Sequence, residues 1–319
     1  MRKVYPCCFL VLLWALGCGT SSKKIFYVNS YHPGYASSDQ VEEAILKILG
    51  DAYRVEVFHL NAKKLNPDQI KENAEKAWER ITSFAPDLLI VSDDNAVESL
   101  LVPHISEIDY PVLFCGVNWS AEKYALPKDK VTGMLEVLPV SQCLDAINNA
   151  GYNFQSITVL SENSSAELKN RETLLPRFQK MGLEVNYVMA NDFEEWKTAF
   201  NQSQTEGNVV FMPTNGGIKN WDDSEAVAYT NQNLTVPVFS CDDFMVKYSV
   251  FGLTKVAAEQ GTYVANTAME ILNGQKAIID VPIVENSKTE CYVNTILANK
   301  IHFNLNTNIN CKTIRYDSP

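Results

Sequence analysis

Two aspartate pairs, Asp93-Asp94 and Asp242-Asp243, and a loop reading Asn29-Ser-Tyr-His-Pro-Gly-Tyr35 hold the side chains of this chain most able to do chemistry. Carboxylates that stand together can serve acid–base cleavage of a glycoside or hold a divalent cation. Adjacent residues point to different sides of the backbone, however, so neither pair makes an acid–base constellation by itself. Other catalytic signatures are missing. No G-x-S-x-G elbow occurs, and Asn215-Gly216-Gly217 has neither the G-x-G-x-x-G spacing nor a P-loop lysine. No CxxC or Cys/His ligand spacing is present, so a zinc site is not expected. With no nucleophile, base and orienting group to assemble, an enzyme is not the expected reading, and no cofactor is called for.

The same residues suit recognition. Polar loops recur at the ends of short apolar runs: Asn29 to Tyr35, Ser92-Asp-Asp-Asn, Gly116-Val-Asn-Trp119, Ser161-Glu-Asn-Ser-Ser165, Pro213-Thr-Asn-Gly-Gly217 and Cys241-Asp-Asp243. Asn, Asp, Ser, Thr and aromatic side chains there can hydrogen-bond and stack on a small polar ligand, and helix N-termini behind them favour a carboxylate or phosphate. Asn29, Tyr31, His32 and Tyr35 are well placed for contact. Asp93 or Asp94 could equally be a helix N-cap, but two carboxylates plus Asn95 exceed what one cap requires. Gly116 and Asn118 are compatible with a simple turn, and Asp242 with a cap.

These loops need elements to hold them. Ile25 to Val28 reads as a buried strand, and Ser38 as the N-cap of a helix with Val41, Ala44, Ile45, Ile48 and Leu49 on one face and Gly50 as its stop. Tyr53 to Leu60 is a strand. Asn66 and Gln69 form a capping box for a helix over 67–84. Asp87 to Ser92, Pro111 to Cys115 and Val131 to Leu138 complete a five-strand, mostly parallel sheet. The pattern then restarts with a helix from Val140, a strand at 156–160 and a helix whose Ser164/Glu167 pair fits a capping box. Strands near 183–189, 208–212 and 236–241 follow, with helices from Asp192 and Asp222 between them. A clear helix runs from Ala257 to Leu272 with Gly274 beyond it, and Ile278 to Ile283 reads as a strand. The tail carries only weak signals. Two successive βα arrays of similar length predict an α/β protein of two similar lobes.

Bulk properties agree with a globular chain of two domains: 319 residues, 46% apolar and 20% charged. The net charge of -11 and the absence of a Lys/Arg-rich run argue against nucleic acid. Arg2 and Lys3 precede an apolar run from Cys7 to Leu16 and a small-residue stretch, which reads as an export signal over 1–18. Trp14-Ala15-Leu16-Gly17-Cys18 resembles a bacterial lipobox, with Ala15 and Leu16 in swapped order, so Cys18 is the expected lipidation site. A lipid-anchored protein of the cell surface or periplasm follows. Cys115 reads as a buried hydrophobe, and Cys291 with Cys311 could pair in an oxidising compartment.

Taken in order, Asn29-Ser-Tyr-His-Pro-Gly-Tyr35, Ser92-Asp-Asp-Asn-Ala96, Phe114-Cys-Gly-Val-Asn118, Thr132-Gly-Met-Leu-Glu136, Phe251-Gly-Leu-Thr254 and the Gln260-Gly261 helix ending in Ile271-Leu-Asn-Gly274 give the chain a family resemblance. It resembles ABC-transporter substrate-binding proteins of the type-I periplasmic binding fold, in the branch of tryptophan/tyrosine-type binding proteins that also serves as sensor domain of histidine kinases. The resemblance implies two Rossmann-like lobes with parallel sheets joined by a three-crossover hinge. The first lobe would hold 24–136 and about 250–275, the second 137–249 and about 276–319. It implies ligand contacts at Tyr31, Asp93, Asn95 and Asn118, with Glu136 near the hinge. In the second lobe, Ser161-Glu-Asn-Ser-Ser165 replaces the Asp-x-Thr-x-x-Gly-like loop of relatives. Asn163, Ser164, Asn215 and Asp242 are its candidates, and Trp119 or Tyr31 would stack on an aromatic ligand. The expected function is capture of a small organic solute, an amino acid being favoured, for an ABC permease by a monomer. The rival is a ligand-sensing lipoprotein that signals to a membrane histidine kinase or cyclase.

Overall fold

The computed structural model describes residues 22–126, 129–305 and 310–316. The expected signal over 1–18 and the lipidation site Cys18 lie outside the described residues. Among the described residues no helix is long and apolar enough to cross a membrane.

Strands β1 (Lys24–Asn29), β2 (Arg54–His59), β3 (Leu88–Ser92), β4 (Val112–Asn118) and β5 (Val131–Glu136) belong to one sheet. Helices α1 (Ala36–Leu49), α2 (Pro67–Phe84), α3 (Asp93–Ala96) and α4 (Val102–His104) fall between them, α3 running into α4 through a π-helical turn at Val97–Leu101. The second array runs α5 (Val140–Asn149), β6 (Ser156–Glu162), α6 (Ser165–Lys180), β7 (Glu184–Ala190), α7 (Phe193–Ser203), β8 (Asn208–Phe211), α8 (Asp223–Asn233), β9 (Val238–Ser240) and β10 (Phe251–Lys255). α9 (Ala257–Leu272), β11 (Val284–Glu285), β12 (Thr289–Asn294), α10 (Thr295–Lys300) and β13 (Cys311–Ile314) close the chain.

The first sheet has the order β11-β5-β4-β3-β1-β2 and the second β13-β12-β10-β9-β8-β6-β7. Every pair in the first is parallel, and only β10–β12 in the second is antiparallel. Strand β3 (LLIVS) is buried along its whole length, as a strand covered on both faces must be. Alternate residues supply two cores. Phe26, Val28, Leu89, Val91 and Phe114 pack toward α2, whereas Ile25, Tyr27, Leu88, Ile90 and Leu113 pack toward α1 and α9. The second lobe has its own core, centred on Trp196, Phe200, Phe211 and Phe239.

The chain passes between the sheets three times: after β5, after β10 and between β11 and β12. The second and third passes sit later than the motifs suggest. Phe251 to Lys255 pairs with β9 and β12 in the second sheet, so the chain returns to the first lobe only with α9. The stretch expected as a strand at 278–283 makes a single 3-10 turn at Ile278–Asp280, and only Val284–Glu285 pairs, adding a sixth strand beside β5. The weakly patterned tail forms β12, α10 and β13, with Cys291 bonded to Cys311 across the β12–β13 pair.

Local signals resolve as their chemistry dictates. Asn66 and Gln69 form the reciprocal capping box of α2. Ser164 and Asp192 cap α6 and α7. Ser38 does not cap α1, which begins at Ala36; its buried hydroxyl instead donates to Asn29 Oδ1.

Candidate ligand site between the lobes

The carboxyl ends of β1 and β3 lie side by side, because the sheet order reverses there, and the same reversal in the second lobe adjoins β6 to β8. Such a switch point opens a crevice above the strands. The loop after β1 is held from below. Asn29, 1% exposed, donates from Nδ2 to Glu42 (2.9 Å) and accepts at Oδ1 from the Tyr31 amide (2.9 Å). His59 Nε2 meets the same Glu42 oxygen at 2.8 Å. Ser30 donates to the Ser92 carbonyl and accepts from the Ala96 amide, tying this loop to the next. Asn29 therefore frames the loop, and its amide has no free end for a ligand.

Above this frame the rings of Tyr31 and Tyr35 stand 4.8 Å apart, with Lys63 Nζ 5.0 and 5.4 Å from their centroids. His32 lies 6.3 Å from Tyr35, and its Nδ1 is buried with no hydrogen-bond partner among the described residues. Burial, followed by the charge of Asp93, drives the Tyr31 pKa well above the ordinary phenol value.

The two aspartates after β3 have opposite environments. Neither caps α3, whose N-cap is Ser92. Asp94 accepts from Asn118 Nδ2 (2.7 Å), the Asn118 amide (3.2 Å) and the Tyr124 hydroxyl (2.6 Å), and it pairs with Lys123 at 2.6 Å. Burial alone would raise its pKa, but Lys123 and these donors hold it below the usual carboxylate value. Asp93 sits at φ +64, a left-handed conformation that costs a non-glycine residue, and no hydrogen bond reaches its carboxylate among the described residues. Burial, then Glu136 and Asp94, push its pKa well above the usual value. Gly116 makes room for it, since a Cβ there would stand 3.2 Å from Asp93 Oδ1.

Glu136 at the end of β5 pairs with Lys255 at the end of β10 (2.6 Å), and Lys255 also faces Asp242 at 3.7 Å. This joins the lobes beside two of the three crossovers. Burial works against the Lys255 ammonium, but Asp242 and Glu136 outweigh it and hold its pKa above the ordinary lysine value; the field of Tyr35 reaches it as well. Asp242 is pushed up, burial being the main cause. Gln260 of α9 completes the joint, accepting from the Gly116 amide (3.1 Å) and donating to the Leu135 carbonyl (3.1 Å). The cluster thus gathers Tyr31, Tyr35, Asp93 and Glu136 from the first lobe with Asp242 and Lys255 from the second. Three carboxylates face two ammonium groups, Lys255 and Lys63, of which Lys255 is already paired with Glu136, and the remaining field favours a cation.

Several other expected contacts have partners within the protein. Asn118 is exposed but spends its amide on Asp94. Asn95 is half-buried beside this loop, its backbone carbonyl accepting from the Ser99 hydroxyl. Asn163 bonds to Asn191 (2.8 Å), Ser164 caps α6, and Asn215 lies against the Tyr248 hydroxyl. Trp119, expected to stack on ligand, is 8% exposed and packed in the core of the second lobe. In the Ser161–Ser165 loop it is Glu162 that turns inward, accepting from the Gly217 amide (2.5 Å). Lys255 and Lys63 belong to none of the candidate ligand contacts expected from the sequence, and Gln260 and Glu162 lie in motifs without being among those contacts. For Lys255 the available signal is a lone lysine closing the apolar run Phe251-Gly-Leu-Thr. Two surface hollows, of about 410 and 260 Å³, lie elsewhere, by Trp78 and Tyr110 and by Phe303 and Leu305.

Solved structures share this architecture. The ligand-free, open structure of CD0873 from Clostridium difficile, a substrate binding protein with adhesive properties, superposes with a TM-score of 0.71 at 14% identity, covering 92% of this chain and 100% of that one. An ABC domain from Streptococcus pneumonia in complex with L-Trp gives 0.58 at 17% identity, covering 89% and 96%. A periplasmic ribose ABC transporter structure from Conexibacter woesei gives 0.57 at 13%, covering 88% and 95%. At these identities the likeness concerns the fold, which is that of type-I periplasmic binding proteins. No curated protein matches the chain in sequence. Residues 39–315 match the family described as ABC transporter substrate binding protein, and the chain belongs to that family.

Proposed function

We propose that this substrate-binding protein captures a small organic amine, an amino acid by preference, between its lobes and presents it to an ABC permease, anchored to the membrane through a lipid on Cys18. The observation that carries the ligand class is the contrast between two neighbouring carboxylates. Asp94 has its oxygens taken by Asn118, Tyr124 and Lys123, whereas Asp93 has no donor and sits in a field that makes its charge costly. An ammonium group would supply both the missing donors and the missing charge. Tyr31 and Tyr35 offer an aromatic wall beside it, suited to a flat or aromatic side chain. The L-Trp complex of the pneumococcal relative points the same way.

Closure is the functional step in this reading. A ligand that touches Asp93 on one lobe and the Asp242–Lys255 region on the other binds the closed form more tightly and shifts the population toward it. The test is mass spectrometry of the small molecules that co-purify with protein lacking residues 1–18, followed by calorimetry with the compound found. A compound carrying an amine, with affinity lost in Asp93→Asn, is the expected result. A carboxylate or neutral sugar bound equally well by Asp93→Asn would sink the ligand class.

A further inference from the structure

Trp119 stands in the first lobe by sequence and in the second by packing. Val117, Ala121, Tyr124 and Leu126, on either side of it, belong to the first lobe's core. Trp119 alone among them is buried with Val140, Leu174 and Phe178 of the second. Its φ of +63 produces the reversal, turning the side chain away from the sheet that carries its backbone. The socket is specific. The indole Nε1 donates to Asn170 Oδ1 at 3.0 Å, and the Arg177 guanidinium lies 4.8 Å from the ring centroid, both on α6. Asn170 is itself fixed, since its Nδ2 donates to Glu167 Oε1 (2.6 Å) while Glu167 Oε2 accepts from Ser161 Oγ (2.7 Å). On the other side, the Trp119 amide donates to the Glu136 carbonyl at 2.9 Å, at the first crossover. Its neighbour Asn118 holds Asp94.

The geometry points to Trp119 as a positioning residue for the motion of the lobes, a ball seated in a socket on α6 that narrows the range of their relative angles without touching ligand. Three covalent crossovers allow bending and twisting, because short extended passes resist neither strongly. A buried side chain from one lobe held in the other by a hydrogen bond and a stacked guanidinium removes the excess freedom. The inference uses the binding reading only in taking lobe closure as the event that matters.

Distances between nitroxides at Glu79→Cys and Glu184→Cys, exposed positions on the two lobes, test it in the ligand-free protein. The free cysteines among the described residues, Cys115, Cys143 and Cys241, are buried and so resist labelling, and Cys7, Cys8 and Cys18 are absent from protein lacking residues 1–18. The protein with Trp119 intact should give one narrow distance distribution, and Trp119→Ala a broader one displaced from it. Trp196→Phe, a change confined to the second lobe's core, should lower the melting temperature and leave the distribution alone. If Trp119→Ala does not fold, Asn170→Ala removes the acceptor and should broaden the distribution by itself. An unchanged distribution in a folded Trp119→Ala, or in Asn170→Ala where the former does not fold, overturns the inference. So does loss of ligand affinity with unchanged distances, which would make Trp119 a ligand contact. The distances are read without ligand, so failure to find an amine ligand leaves this test standing.

Discussion

At the scale of single residues, Asp93 and Asp94 show how neighbours of one type acquire opposite roles. Asp94 has a folded-state pKa below its unfolded value, so it stabilises the fold at neutral pH, and that contribution is lost as pH falls through the lowered value. Asp93 has a raised value, so the folded protein holds its proton more tightly than the unfolded chain does. Ligand-free stability therefore declines as pH rises from the ordinary carboxylate range through the raised pKa. Asp93→Asn should accordingly raise the melting temperature of the ligand-free protein at neutral pH, with the gain vanishing in acid, while weakening ligand binding by about 10- to 100-fold. Asp94→Ala should do the reverse to stability and cost about 1–3 kcal/mol, because the donors of Asn118 and Tyr124 lose their acceptor. Melting curves from acid to neutral pH for the two variants decide this, and a shared sign would refute it.

At the scale of elements, the contact of α1 with α9 places the first lobe's second face, and it depends on Gly261. A Cβ at that position would stand 2.2 Å from the Val41 carbonyl oxygen and 3.0 Å from Ala44 Cβ. Gly261→Ala must push the two helices apart, at a cost of about 1–3 kcal/mol. The same helix carries Gln260, which braces Gly116 and Leu135 at the hinge, so the substitution should weaken ligand affinity as well as stability. Chemical denaturation and calorimetry measure the two effects. Wild-type denaturation would show that the helices tolerate the methyl group. β10 contributes differently, through Lys255 at its end. Lys255→Met leaves Glu136 and Asp242 facing each other without a cation, and the loss of stability should be largest near neutral pH and shrink in acid as the carboxylates take up protons. A loss independent of pH, seen in melts across that range, would place the role of Lys255 in packing alone.

At the scale of the whole molecule, two lobes, the first with two cores and the second with one, are joined by three passes and one buried indole. Ligand bound across the lobes should lower the radius of gyration measured by X-ray scattering and raise the melting temperature. At a ligand concentration one hundred times its dissociation constant the stabilisation should be about 2.7 kcal/mol. A melting shift with no compaction would mean binding to one lobe only. The disulfide between Cys291 and Cys311 joins β12 to β13 within the second sheet and does not bridge the lobes, so reducing it should leave the compaction intact.

The sequence by itself determined the elements, because strand runs such as LLIVS, the Asn66/Gln69 box and the periodic face of α9 are local patterns that any tertiary context must respect. It determined the two-lobe class. Only the tertiary structure decided which side chains in the strand-end loops are free. Asn29 was consumed by Glu42, Asp94 by Asn118 and Lys123, and Trp119 by the opposite lobe, through partners between 13 and 51 residues distant in the chain. It also brought in Lys255, which lies 119 residues from Glu136, and moved β10 into the second sheet. A residue type records what a side chain can bond to; which partner arrives first depends on long-range packing, and no local pattern contains that.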